Sequence, residues 1–314
     1  MIEKPWFSAF ELYGPCFEKV PISISHLSRY KSECLEIGGW FKSGNTTPST
    51  SALRVISPYH GRSAVARLDT HYVSVKGVGW TWSKPFIMRS RKDQQLTFGL
   101  MSLRDAIREA EVNDYLRKTS GTYAKILGFG VLQEIIVDNH RKDIQNVVWT
   151  NGESIKPTLL YTLQKSPVRV GDLTCLSDME TRGAIAKAAK ERGWSLKDYL
   201  SHFSKDLGKT IASLHIIGGV NDTLEPGNVT LCAEVTDFEW IYVPGINHPW
   251  PDADQYLEVR QSKELVYAVE LITILAARLN KNHHEHIKLF LQTYLDEGGC
   301  ATQGAHELQV AVTL

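Results

Sequence analysis

The sequence predicts an α+β fold in two lobes, and three observations carry that expectation. Strand-like runs cluster before residue 166, with one amphipathic helical segment among them. From about residue 170 the apolar spacing is mostly helical. The two textures follow one another instead of alternating as βαβ units. Segregation of this kind suggests a cleft, the usual place for a ligand. The expected division is an extension over residues 1–50 packed on the first lobe, a β-rich lobe over 51–166 and a helical lobe over 167–314.

The elements can be justified in order. The extension carries aromatic anchors (Trp6, Phe7, Phe10, Trp40) and ends in the polar loop KSGNTTPSTS. ALRVIS at 52–57, SAVARL at 63–68 and HYVSVKGVG at 71–79 read as strands of a small antiparallel sheet. His60, Gly61 and Arg62 turn the chain between the first two. SLRDAIREAEVNDYLRK at 102–118 then changes period. Leu103, Ala106, Ile107, Ala110 and Leu116 make an apolar stripe, with Ser102 as N-cap.

Strand-like text resumes in AKILGFGVLQEIIVD and TLLYTLQ. TRGAIAKAAKERG reads as a helix with Gly193 as its C-cap. The following segment places Leu200, Phe203, Leu207, Ile211 and Leu214 on one helical face. A tight hairpin is expected within 219–240, then a long helix from about Ser262. There is no internal repeat and no low-complexity tract.

Composition narrows the function classes. The 314 residues are 43% hydrophobic and 22% charged, an ordinary globular profile. Lys plus Arg equals Asp plus Glu at 35 each, so overall charge gives no pull toward nucleic acid or membrane. The five cysteines are scattered without a CxxC pair, and MIEKPWFSAFE has no apolar core. Reduced thiols in a cytoplasm are therefore expected. The apolar run LVYAVELITILAARL at 265–279 contains Glu270 and Arg278, which favours a buried helix over a membrane span. No GxGxxG or GxxxxGK[ST] occurs, leaving Rossmann and P-loop readings without support.

Four residues could carry chemistry together. Lys76 lies in VSVKGVG and Glu109 in RDAIREAE, while Asn228 and Asp237 stand nine positions apart (237 − 228). Transfer from a nucleotide needs positive charge on the polyphosphate and a metal bridging its oxygens. A strand lysine reaches phosphates when a carboxylate holds it, and the early helix offers Glu109. Mg²⁺ takes oxygen ligands and keeps several waters, so one amide oxygen and one carboxylate suffice. Each residue also has an ordinary explanation. Lys76 and Glu109 could be solvated, and Asn228 follows Pro226-Gly227 as a turn residue would. Asp237 in an apolar strand is harder to dismiss, because an unpaired carboxylate there is costly.

The order of these residues resembles the protein-kinase fold. In detail the chain looks most like a divergent, shortened member of the selenoprotein O family of kinase-like AMP transferases. KGVG at 76–79 is similar to the family's KGAG-type motif. RDAIREAEVND resembles its RSSIREF…SE helix through Arg104, Ile107, Arg108, Glu109 and Asp114. VRVGDLT at 168–174 is similar to VRFGHFE, and GGVNDTLEPGNVTLCAEVTDFEW to HGVxNTDNxSxxGxTIDYG. The similarity runs from about Gly61 to Asp237.

The resemblance implies a two-lobed kinase-like fold with ATP between the lobes. Lys76 and Glu109 would form the ion pair, with Gly77 and Gly79 beside the nucleotide and Arg169 on a phosphate. Asn228 and Asp237 would hold Mg²⁺. A reversed nucleotide would favour AMP transfer to a protein or small-molecule acceptor. The alternatives are a small-molecule phosphotransferase and a nucleotide-binding pseudokinase acting through a partner.

Departures matter as much. Gly227 replaces the family's candidate base, and Thr223 stands where a kinase-style aspartate would fall. Asp222 and Glu225 are the nearby carboxylates that could substitute, and Thr162 replaces a second arginine. The 33 positions from Lys76 to Glu109 exceed the family spacing, which puts an insertion in WTWSKPFIMRSRKDQQ. That loop holds Lys84, Arg89, Arg91 and Lys92 as extra cations.

Three further features have ordinary expectations. His283, His284 and His286 suit a hydrated inter-helix loop better than a metal site. Trp80 and Trp82 suit a core better than base stacking, and Cys232 suits a small buried apolar position.

Overall fold

A computed structural model describes residues 16–43, 53–55, 61–68, 71–79, 99–137, 139–144, 156–246, 252 and 255–313. The expectations for Trp6, Phe7, Phe10, His60, Trp80, Trp82, Lys84, Arg89, Arg91 and Lys92 lie outside the described residues. The fold is α+β. The chain divides into two units: Met1–Ala110 with Lys125–Pro167, and Glu111–Ala124 with Val168–Leu314.

The first unit is built on an antiparallel sheet. Its strands are β1 (Phe17–Lys19), β2 (Ile22–Ile24), β3 (Trp40–Lys42), β4 (Leu53–Arg54), β5 (Ser63–Leu68) and β6 (His71–Lys76). Then come β7 (Lys125–Leu132), β8 (Glu134–Val137), β9 (His140–Asp143) and β10 (Thr158–Gln164). Six of them form one sheet in the order β2-β7-β10-β6-β5-β4, while β1 pairs with β3 and β8 with β9.

Strand alternation sorts the central side chains. Val73 and Val75 stand opposite Ala66 and Ala64 on one side and Leu163 and Tyr161 on the other. This face packs into the apolar core with Leu127 and Leu159. The opposite face carries Ser63, Ser74, Thr162 and Lys76, because the side-chain period of a strand is two. Helix α1 (Lys31–Ile37) adds Cys34 and Ile37 to the core. Tyr161, wholly buried, donates its hydroxyl to Gly38 O at 3.0 Å, so its ring and its polar tip are both satisfied.

Helix α2 (Leu103–Leu116) starts where the sequence marks it. Ser102 Oγ accepts from Asp105 N at 3.1 Å, which satisfies one orphan donor of the first turn.

The second unit is mostly helical: α3 (Asp178–Arg192), α4 (Tyr199–Ile216), α5 (Leu257–Leu279), α6 (His283–Asp296) and α7 (Thr302–Thr313). A capping box between Ser177 and Glu180 opens α3, and Gly193 closes it in the left-handed conformation. Leu200, Phe203, Leu207, Ile211 and Leu214 are all buried, as their spacing predicts. Gly208 lets α4 approach α6, since a Cβ there would stand 2.8 Å from Phe290 O.

Two helix starts differ from expectation. Helix α5 begins at Leu257, earlier than Ser262, directly after Tyr256 in a left-handed conformation. His283, His284 and His286 lie in the first turn of α6 and not in an inter-helix loop. The reason is Asn282, whose side chain accepts from His284 N at 3.0 Å and caps the helix. Among the described residues, no helix is long and apolar enough to cross a membrane.

The expected hairpin is reduced in a similar way. Strands β11 (Val220–Asn221) and β12 (Ile241–Tyr242) pair outside the span from Asn228 to Asp237. Between Asn228 and Asp237 there is an isolated bridge, Val229 with Val235, and Ala233 takes a left-handed φ of 59°. One bridge and one turn replace two strands.

Candidate functional site

In the first unit, Lys76 Nζ donates to Glu109 Oε1 at 2.7 Å. The lysine side chain is 13% exposed and the carboxylate 1%. Neither is therefore a solvated surface group. Local structure explains the meeting. Lys76 ends β6 on the polar face of the sheet, opposite Leu160 of β10. Thr158 N donates to Met101 O at 2.8 Å and Leu103 N to Lys156 O at 3.0 Å, so the start of β10 holds the start of α2. Glu109 follows on that helix. A carboxylate this buried is stable only with a partner, and Lys76 supplies the charge.

Gly77 and Gly79 carry the chain out of β6. Gly77 has φ +96°, and a Cβ on it would stand 2.4 Å from Thr158 O. Only glycine fits that turn without a backbone shift. Gly79, at φ +90°, passes close to Lys42 and Phe41.

In the second unit, two chain segments run side by side. Val170 N donates to Val229 O at 2.9 Å and Leu231 N to Val168 O at 3.0 Å. Arg169 lies between them, bridged to Thr230. Its backbone N donates to Asp172 Oδ2 at 2.7 Å, and its Nη1 donates to Gly227 O at 2.7 Å. Burial lowers the basicity of the guanidinium, and the charges of Asp172 and Asp237 oppose that shift.

Asn228 ends a short 3₁₀ turn, Pro226–Asn228. Its Nδ2 donates to Thr223 O at 2.8 Å. That bond uses one of the two amide N–H groups, and Oδ1 has no protein partner among the described residues. Asn228 O accepts from Thr236 N at 3.0 Å and from Thr236 Oγ1 at 3.2 Å. Asp237 is thus one residue from the strand partner of Asn228, which answers the spacing seen in sequence. On its other side, Val235 is pinned by Ala124 N to Val235 O (2.9 Å) and Val235 N to Thr122 O (3.1 Å).

Asp237 is half-buried, and its Oδ1 accepts from Glu239 N at 3.2 Å. Glu239 was not singled out in sequence, yet its carboxylate lies within 4.8 Å of that of Asp237. An acid two positions past a strand end gives no pattern signal. Asp237 and Glu239 offer carboxylate oxygens, hard donors that suit a cation such as Mg²⁺ better than a thiophilic metal.

The remaining candidates are placed differently. Asp222 accepts from Arg260 Nε at 2.9 Å and forms a second contact through Nη2, so the guanidinium fork engages both of its oxygens. Glu225 is exposed, and Gly227 brings no side chain. Cys232 is buried, as expected.

A buried network was not foreseen. Glu264 Oε2 accepts from Asn221 N at 2.9 Å and stands 3.0 Å from His215 Nε2. His215 Nδ1 is 2.8 Å from Tyr294 Oη, which accepts from Ala301 N at 2.7 Å. The hint in sequence was a lone acid, Glu264, opening an apolar helical run. Comparison with protein-family models gave no match, and comparison with curated proteins gave none either.

Proposed function

We propose that the chain is a cytoplasmic, ATP- and Mg²⁺-dependent transferase of kinase-like fold that passes AMP to a protein or small-molecule acceptor. In this reading Lys76 supplies the cation for phosphate, and Asn228 and Asp237 supply the metal ligands. The observation that carries it is the Asn228 amide. Its Nδ2 is tied to Thr223 O while its oxygen has no protein partner among the described residues, and its carbonyl pairs with Thr236, the residue before the half-buried Asp237.

Lys76, oriented by Glu109, would balance charge on the phosphate oxygens. Asn228 and Asp237 would hold Mg²⁺, with Glu239 within reach. The ion, when bound, neutralises charge developing on the polyphosphate. In AMP transfer an acceptor oxygen bonds to the α-phosphorus as the α–β phosphoanhydride bond breaks. Pyrophosphate then leaves and the acceptor proton passes to solvent. A general base would add roughly 10²–10⁴-fold, so its loss slows such a reaction without forbidding it.

One observation favours a second reading. Asp222, the candidate substitute base, is held by Arg260, and Gly227 has no side chain to act. A nucleotide-binding pseudoenzyme would look the same.

Incubation with ATP labelled at either the α- or the γ-phosphate, plus cell extract, decides between them. Transfer of the α-label alone is the expected result. Transfer of the γ-label would overturn AMP transfer, and saturable ATP binding with no transfer of either label would favour the pseudoenzyme.

A further inference from the structure

We propose that Arg169 is a positioning residue for the metal-binding asparagine and not a contact for nucleotide phosphate. The proposal rests on the metal reading above and deepens it. The resemblance in sequence pointed the other way, toward phosphate.

Geometry argues for the loop. Arg169 is 8% exposed, and its Nη1 donates at 2.7 Å to the carbonyl of Gly227, the residue immediately before Asn228. Its Nε is buried and has no partner among the described residues, so that arm of the fork is not presented to solvent. A phosphate-binding arginine works by offering two parallel N–H groups to an anion; here Nη1 is engaged by Gly227 O and Nε is enclosed, which leaves Nη2 without a free neighbour to complete such a pair.

The backbone around Arg169 is equally committed. Asp172, fully buried, accepts from Arg169 N at 2.7 Å. At Gly171 a Cβ would stand 3.1 Å from the carbonyl carbon of Pro226 and 3.2 Å from Gly227 N, so the two turns pack backbone against backbone. Arg169 is the side chain that ties this platform to the Pro226–Asn228 turn. Without its bond, the Gly227 carbonyl loses its charged donor and the aim of Asn228 Oδ1 is no longer set from that side. Groups that orient a metal ligand without touching the metal typically change affinity by about 10- to 100-fold.

The test compares wild-type protein with Arg169→Lys and Arg169→Met, measuring Mn²⁺ affinity in the presence of ATP and ATP affinity in EDTA. Melting curves without ligand accompany both. The expected result is Mn²⁺ affinity about tenfold weaker or worse in Arg169→Met, a smaller loss in Arg169→Lys, and unchanged metal-free ATP affinity. Lysine keeps the charge and one donor, so that variant carries the test if the methionine variant does not fold. A merely structural role would lower the melting temperature and leave Mn²⁺ affinity of the folded protein unchanged, which would overturn the proposal. Weaker ATP binding in EDTA would overturn it too, by returning Arg169 to phosphate. Absence of any Mn²⁺-dependent ATP binding in the wild type would instead overturn the metal reading on which the proposal rests.

Discussion

Glu109→Leu is expected to destabilise the protein by about 3 kcal/mol, although it replaces a charged residue with an apolar one of similar size. The carboxylate is 1% exposed and the Lys76 ammonium it faces only 13%. Removing one partner of a buried pair leaves the other charge desolvated, at a cost of about 3–5 kcal/mol. The low end applies because Lys76 keeps some contact with water. Replacing both residues, as Lys76→Met with Glu109→Leu, is expected to recover most of the loss, since neither charge is then stranded. Urea unfolding of the two variants measures this. Equal losses in the single and double variants would show that the pair itself contributes net stability. The double variant is also expected to bind no nucleotide.

Glu264→Leu is expected to cost about as much, for a related reason. Glu264 Oε2 accepts from Asn221 N and faces His215 Nε2, and both Glu264 and His215 are essentially unexposed. Tyr294 Oη accepts from Ala301 N and lies 2.8 Å from His215 Nδ1. With hydrogen on Nε2, His215 donates to Glu264 and accepts from Tyr294 Oη, the tautomer that satisfies every member of the chain. Leucine strands a backbone N–H and an imidazole N–H inside the helical unit, each costing about 1–3 kcal/mol. Glu264→Gln keeps an acceptor for Asn221 N and is expected to lose less. Urea midpoints give the stabilities, and hydrogen exchange at the Asn221 amide gives the local effect. Asn221 begins the segment leading to Asn228, so faster exchange there should accompany weaker metal binding. Equal stability of the leucine and glutamine variants would contradict this account.

Much of the fold was legible where pattern and packing agree. SAVARL, HYVSVK and TLLYTLQ became strands because Ala64, Ala66, Val73, Val75, Leu159 and Tyr161, at alternate positions, pack into one core. The stripe from Leu200 to Leu214 became one buried helix face for the same kind of reason. Illegible features depend on single local bonds or distant partners. Asn282 turned an expected loop into the first turn of α6 through one cap. The expected hairpin shrank to one bridge because Ala233 adopts a left-handed turn that its residue type does not announce. Arg260 and Asp222 are 38 positions apart, and His215 and Tyr294 are 79 apart, so neither pairing leaves a trace in local spacing. At the candidate site, types and order were readable. Which atoms remain available was not, because that is set by Thr223 O, Gly227 O and Glu239 N.

The central claim is that Asn228 and Asp237 hold a divalent ion beside a nucleotide. Calorimetric titration of ATP into the wild type and Asp237→Ala, each with Mg²⁺ and with EDTA, tests it most directly. The account predicts saturable ATP binding that Mg²⁺ strengthens in the wild type, and in the variant an affinity that is the same with Mg²⁺ as with EDTA. Mg²⁺-dependent binding of equal strength in Asp237→Ala would contradict it.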